Sequence, residues 1–154
     1  MRVGFVGLGV MGLPMARHLM AAGHALAVWA RRPESVAPLQ AAGAAVAASL
    51  PELAAGQALV ISMVADAPDV AEVMRALARQ APPGLVAVDM STIAPAAARR
   101  IGEELAAAGI DFVDAPVSGG EVGAIAGTLS IMAGGSESGF ARAQPAFACM
   151  GKNI

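Results

Sequence analysis

The sequence predicts an α/β fold built on a doubly wound parallel sheet, and three observations carry that prediction. Short apolar runs alternate with stretches of helical periodicity along the whole chain, the pattern of strand–helix–strand units. The runs are dense in apolar residues, Leu59–Val64 with Ser62 its one polar member, which suits strands covered on both faces. A glycine-rich turn, Gly7-Leu8-Gly9-Val10-Met11-Gly12, joins the first run directly to the first helical pattern.

The elements follow in order. A strand over Arg2–Val6 leads into a helix over Met11–Ala22, with Met11, Met15, Leu19 and Ala22 on one face and Gly23 as the C-cap. Ala25–Ala30 reads as the second strand, and Pro33 opens a short helix running to Gln40. Ala44–Ala47 is a weak third strand and Pro51–Ala55 a helical turn. Leu59–Val64 is the fourth strand, followed by a helix over Pro68–Gln80 with Val70, Val73, Met74 and Leu77 inward. Pro82-Pro83-Gly84 turns the chain into a fifth strand, Leu85–Asp89, and then a helix over Pro95–Ala108 closed by Gly109. Ile110–Asp114 is the sixth strand. A glycine-rich stretch separates it from a seventh, Thr128–Ala133, and a last helix runs from Glu137 to about Cys149.

Composition narrows the functional classes. The 154 residues fit one domain, 1–154, and 56% hydrophobic against 14% charged residues excludes a disordered chain. The net charge of −2, with no basic run beyond Arg31-Arg32, argues against nucleic-acid binding. No window reaches the ~20 strongly apolar residues of a membrane helix. Pro14, Arg17 and three glycines interrupt the N-terminal apolar stretch, which argues against a secretory signal. The single Cys149 excludes an intrachain disulfide, reads as a small buried apolar residue, and fits a cytoplasmic protein.

The glycine turn carries the first chemistry. Gly7 permits a tight turn, Gly9 lets the backbone approach a pyrophosphate, and Gly12 lets helix and strand pack closely, the arrangement of a Rossmann domain. The helix that follows offers free N–H groups and a partial positive charge to phosphate. A domain selective for NAD carries a carboxylate about 20 residues further on, for the ribose 2′-hydroxyl. Here that region reads Trp29-Ala30-Arg31-Arg32-Pro33, with no acid before Glu34. Two guanidiniums suit a 2′-phosphate, so NADP(H) is expected over NAD(H).

Three segments resemble the β-hydroxyacid dehydrogenases, the family of the 3-hydroxyisobutyrate dehydrogenase and tartronate semialdehyde reductase type. The turn continues as Leu13-Pro14-Met15-Ala16-Arg17-His18-Leu19; Asp89-Met90-Ser91-Thr92-Ile93-Ala94-Pro95 looks like the family's DxST segment; and Asp114-Ala115-Pro116-Val117-Ser118-Gly119-Gly120, running on to Gly135, resembles its substrate signature. The resemblance implies an NADPH-dependent oxidoreductase for a small semialdehyde or oxo acid, closest to 2-hydroxy-3-oxopropionate reductases, with 3-hydroxyisobutyrate dehydrogenase as the alternative. It implies that Gly7, Leu8, Gly9, Val10, Met11 and Gly12 hold the pyrophosphate. It places Met63 and Val64 near the nicotinamide half, Thr92 at the nicotinamide ribose or ring, and Ser118, Gly119 and Gly120 on the substrate carboxylate and hydroxyl. The aspartate matching Asp114 is expected to stabilise the loop.

The resemblance further implies a catalytic lysine on a helical C-terminal domain that also makes the homo-oligomer contacts, expected beyond Ile154. The only lysine here, Lys152, reads as a solvated turn residue. His18 and His24 fall away from the strand carboxyl ends, and no residue cluster has metal-ligand spacing. The chain therefore reads as the cofactor-binding half of an enzyme cut near the end of its Rossmann domain, with an apolar face left exposed. A non-catalytic dinucleotide-binding module is the competing class.

Overall fold

The computed structural model describes residues 1–154. Six strands form the predicted parallel sheet: β1 (Arg2–Val6), β2 (Ala25–Trp29), β3 (Ala45–Val46), β4 (Leu59–Ser62), β5 (Val86–Asp89) and β6 (Asp111–Asp114). Their order is β3-β2-β1-β4-β5-β6, the doubly wound order of a Rossmann sheet. The order reverses between β1 and β4, which opens a crevice at their carboxyl ends.

Two apolar layers hold the sheet. On one face, Phe5, Val28, Ile61, Val88 and Val113 pack with Met15 and Leu19 of α1 (Gly12–Ala21) and with Phe147 of α7 (Glu137–Met150). On the other, Val60 and Ala87 pack against Leu53 of α3 (Leu50–Ala54), Val70, Val73, Met74 and Leu77 of α4 (Ala67–Ala78), and Ile101 and Leu105 of α5 (Pro95–Ala107). The inward face of α4 is the one its periodicity predicts. For α1 the prediction needs correction. Gly12, Met15, Ala16 and Leu19 are buried, whereas Met11 is half-buried and Ala22 exposed. Ala22 lies past the last turn, where the chain leaves the helix at the Gly23 turn (φ +90°).

The predicted helix from Pro33 to Gln40 is a 3₁₀ turn, Pro33–Val36, followed by α2 (Ala37–Ala41). The largest departure lies after β6. The glycine-rich stretch contains a helix, α6 (Gly120–Ala126), between Gly119 (φ +136°) and Gly127 (φ +68°). The predicted strand over Thr128–Ala133 shortens to β8 (Leu129–Ile131) and leaves the main sheet. It pairs antiparallel with β7 (Val117–Ser118) and parallel with β10 (Gly151–Asn153) in a second, three-stranded sheet. Lys152 is therefore an exposed strand residue, not a turn residue. The seventh strand of the main sheet is β9 (Gly134–Gly135), antiparallel to β6.

Cys149 is half-buried, not buried. Its thiol donates to the Pro145 carbonyl (3.1 Å) and lies 3.6 Å from His24 Nε2, and burial pushes its pKa up. No helix is long and apolar enough to cross a membrane.

Candidate functional site

The glycine turn sits in the crevice. Gly7 adopts φ +95°, and a Cβ there would lie 2.0 Å from the Met63 carbonyl oxygen; a Cβ on Gly12 would lie 1.7 Å from the Gly7 carbonyl oxygen. Both glycines are thus required by the protein's own packing. Gly9 differs. It is exposed, and a Cβ there would meet nothing within 4 Å. The space beside it is free for a ligand, and a side chain would fill it. The amides of Gly9, Val10, Met11 and Gly12 donate to no backbone acceptor, and no acidic side chain stands in the first turn of α1. This is a cradle for an anion, and a pyrophosphate fits it.

A cavity of about 440 Å³ continues from this turn along the end of β2. Its walls include Gly7, Gly9, Trp29, Arg31, Arg32 and Val64. Both predicted arginines are therefore brought to the glycine turn. The structure adds a residue that sequence reading missed, Asp69 on α4, which lines the same cavity. Arg31 approaches Asp69 at 3.9 Å and Glu72 at 4.0 Å, with its side chain 71% exposed, so these are loose, solvated pairs. Val64 lies in this cavity with the arginines, and Met63 packs against the apolar layer beside α1.

The carboxyl ends of β4, β5 and β6 form a polar rung. Ser62, Asp89 and Asp114 are aligned in register across the three strands. Asp89 is fully buried; its Oδ1 accepts from Ser62 Oγ (2.7 Å), Ser91 Oγ (2.7 Å) and the Ser91 amide (3.2 Å). Ser91 Oγ in turn accepts from the Val64 amide at 2.9 Å, which ties the loops after β4 and β5 together. Burial pushes the Asp89 carboxyl above its ordinary value, against the opposing effect of the serine donors. Asp114 is pushed up to about 6, by burial first and then by the Asp89 charge. The sequence reading gave Ser62 and Ser91 no role; the signals available were Ser62 as the one polar residue inside Leu59–Val64 and Ser91 two residues after Asp89 in the Asp89–Pro95 segment. Thr92, next to Ser91, is exposed at this end of the sheet.

Ser118, Gly119 and Gly120 are exposed at the junction of β7 and α6. Gly119 and Gly120 both have positive φ, and the Gly120 and Glu121 amides donate to no backbone acceptor. The far end of α6 is held by His18, whose Nε2–H donates to the carbonyls of Ala124 (3.0 Å) and Ile125 (2.9 Å). Sequence reading gave His18 no role, because its partners lie more than a hundred residues away.

The fold, the crevice and the unpartnered amides define a class, the NAD(P)-binding Rossmann domain. More particularly, the chain belongs to the family described as the NAD binding domain of 6-phosphogluconate dehydrogenase, whose model matches residues 2–154. This is an oxidoreductase family. The chain is 41% identical over 157 residues to 2-hydroxy-3-oxopropionate reductase of Escherichia coli, covering 100% of this chain and 53% of that protein. It is 45% identical over 156 residues to 3-hydroxyisobutyrate dehydrogenase of Pseudomonas aeruginosa, covering 99% and 52%. The structure of Mycobacterium tuberculosis 3-hydroxyisobutyrate dehydrogenase with L-serine superposes with a TM-score of 0.95 at 37% identity, covering 99% of this chain and 53% of that one. The chain thus spans about half the length of the curated relatives it matches. The resemblance to β-hydroxyacid dehydrogenases stands, and the relatives fit a hydroxyacid dehydrogenase.

Proposed function

We propose that residues 1–154 are the cofactor-binding domain of an NADPH-dependent β-hydroxyacid dehydrogenase that reduces a small semialdehyde or oxo acid, in the manner of a 2-hydroxy-3-oxopropionate reductase. The observation that carries the cofactor preference is the placement of Arg31 and Arg32 in one cavity with Gly7 and Gly9, with no carboxylate in the chain between β2 and Glu34 and Asp69 of α4 the one acid on the cavity wall. Gly7 to Gly12 hold the pyrophosphate on unpartnered amides, and the arginines hold the 2′-phosphate. The resemblance places Met63 and Val64 near the nicotinamide half; because Val64 lines the cavity of Arg31 and Arg32, we assign it instead to the adenosine end, with Met63 backing the turn. Thr92 faces the nicotinamide ribose or ring. A nicotinamide held there would supply hydride-transfer chemistry at a carbonyl carbon.

Ser118 and the Gly119-Gly120 amides orient the substrate carboxylate and hydroxyl beside it. The alkoxide that results needs an acid. Lys152 is exposed on the smaller sheet, so the proton donor is assigned to the remainder of the longer protein. Exposed Val122 and Ile125 on α6 suit contact with that remainder, which we also expect to supply the homo-oligomer contacts.

The full-length protein tests this reading. It should oxidise NADPH with tartronate semialdehyde at least about tenfold faster, as kcat/KM, than it reduces NADP⁺ with 3-hydroxyisobutyrate. The reverse ratio would favour a 3-hydroxyisobutyrate dehydrogenase, the second reading, which the 45% identity supports. Cofactor binding without turnover on either substrate would favour a non-catalytic module.

A further inference from the structure

Two side-chain oxygens are buried without a partner: Oδ2 of Asp89 and Oδ1 of Asp114. The two residues are register partners on neighbouring parallel strands, so their side chains leave the same face of the sheet about 5 Å apart. Two ionised carboxylates in that position would repel and leave both oxygens unsatisfied. One proton on Asp114 removes both problems.

We propose that Asp89 and Asp114 are a positioning pair that holds one proton, Asp114 Oδ1–H donating to Asp89 Oδ2, and that this bond couples the loop carrying Thr92 to the loop carrying Ser118, Gly119 and Gly120. Asp89 already fixes the first loop through Ser91, and its backbone carbonyl accepts from the Ala115 amide at 2.7 Å. The carboxyl–carboxylate bond adds a side-chain tie at the point where the chain turns toward β7. The groups facing the pair leave it without a counter-ion. β4 presents Ser62, which donates to Asp89. α4 turns Val70, Val73, Met74 and Leu77 to this face, and α5 turns Ala97, Ala98, Ile101 and Leu105. Arg99 lines a cavity with Asp114 without forming an ion pair, and β9 brings Gly134 and Gly135. The shift of Asp114 to about 6 has the sign this arrangement requires.

The link to the substrate segment rests on the function proposed above; the shared proton does not, and it is read without cofactor or substrate. Carboxyl carbon shifts of ¹³C-aspartate-labelled chain, followed from about pH 3 to about pH 8, should show Asp114 titrating near 6 instead of its ordinary 3.8, with the Asp89 carboxyl responding in the same window. An asparagine side chain at this position can donate as the protonated acid does. Asp114→Asn should therefore keep the wild-type melting temperature below about pH 3.8, where the wild-type carboxyl is protonated in both states, while Asp114→Ala lowers it and speeds amide exchange over 118–126.

The sign on pH follows from the raised folded pKa. The stabilisation is complete below 3.8, the ordinary value, and is lost as pH rises through about 6, so the wild type should lose stability relative to Asp114→Asn across that window. Asp114 titrating near 3.8 with Asp89 silent would overturn the proposal, as would an Asp114→Asn chain as unstable at low pH as Asp114→Ala. Should both variants fail to fold, the wild-type titration decides alone.

Discussion

Removing the guanidinium of Arg31 or Arg32 should change one cofactor's affinity and leave the other's alone. A charge-assisted hydrogen bond to phosphate contributes about 1.5–3 kcal/mol, and every 1.4 kcal/mol is tenfold in Kd. The cavity is open and Arg31 is mostly exposed, so the lower end of that range applies. Its contacts to Asp69 and Glu72, at 3.9 and 4.0 Å, are too loose to hold it away from a phosphate. Arg31→Ala and Arg32→Ala should each raise the Kd for NADPH about tenfold, and the double variant about a hundredfold, with NADH changed by less than about twofold. Asp69→Asn, which takes a negative charge off the cavity wall, should tighten NADPH about two- to fivefold.

Trp29 is the only tryptophan and lines the same cavity, so its fluorescence reports each titration locally. Equal losses for NADPH and NADH would refute the assignment of the arginines to a 2′-phosphate. Wild-type chain that binds NADH as tightly as NADPH would do the same.

Further substitutions separate packing from binding. Gly12→Ala should destabilise the chain by about 1–3 kcal/mol in urea unfolding, because its Cβ collides with the Gly7 carbonyl; Gly9→Ala should leave the unfolding midpoint unchanged yet weaken both NADPH and NADH about tenfold. His18→Ala removes the donor that holds Ala124 and Ile125, and should cost about 1 kcal/mol while raising hydrogen exchange across 120–126; unchanged exchange there would count against the clamp. Ser91→Ala takes a donor from buried Asp89 and the acceptor from the Val64 amide, so a loss of about 1–3 kcal/mol is expected by thermal or urea melts.

Much of this molecule was legible in short windows of sequence. The first strand, glycine turn and first helix are local. The turn needs positive φ at Gly7 and no Cβ at Gly12, and both demands are written in those residues. The inward face of α4 follows from the spacing of Val70, Val73, Met74 and Leu77, since a helix repeats about every 3.6 residues whatever it packs against. The resemblance in three segments carried the candidate site residues and the expectation of a relative about twice as long.

What the windows could not carry was pairing between distant segments. Neither a helix in Gly120–Ala126 nor the departure of β8 from the main sheet has a local signature. Glycines at 119, 120, 123 and 127 read as a loop, and α6 is a helix because Ala124 packs into the core and His18 caps its end. Asp69 enters the cavity only because α4 lies beside the end of β2, and Ser62, Asp89 and Asp114 meet only because three strands share one register. Sequence alone determined the first strand, the glycine turn, the inward face of α4 and the fold class, because backbone sterics and helical periodicity act over a few residues. The tertiary structure alone decided which buried carboxyls face each other and what reaches the cavity, because side-chain contacts across a sheet depend on register, and register is set by the packing of the whole chain.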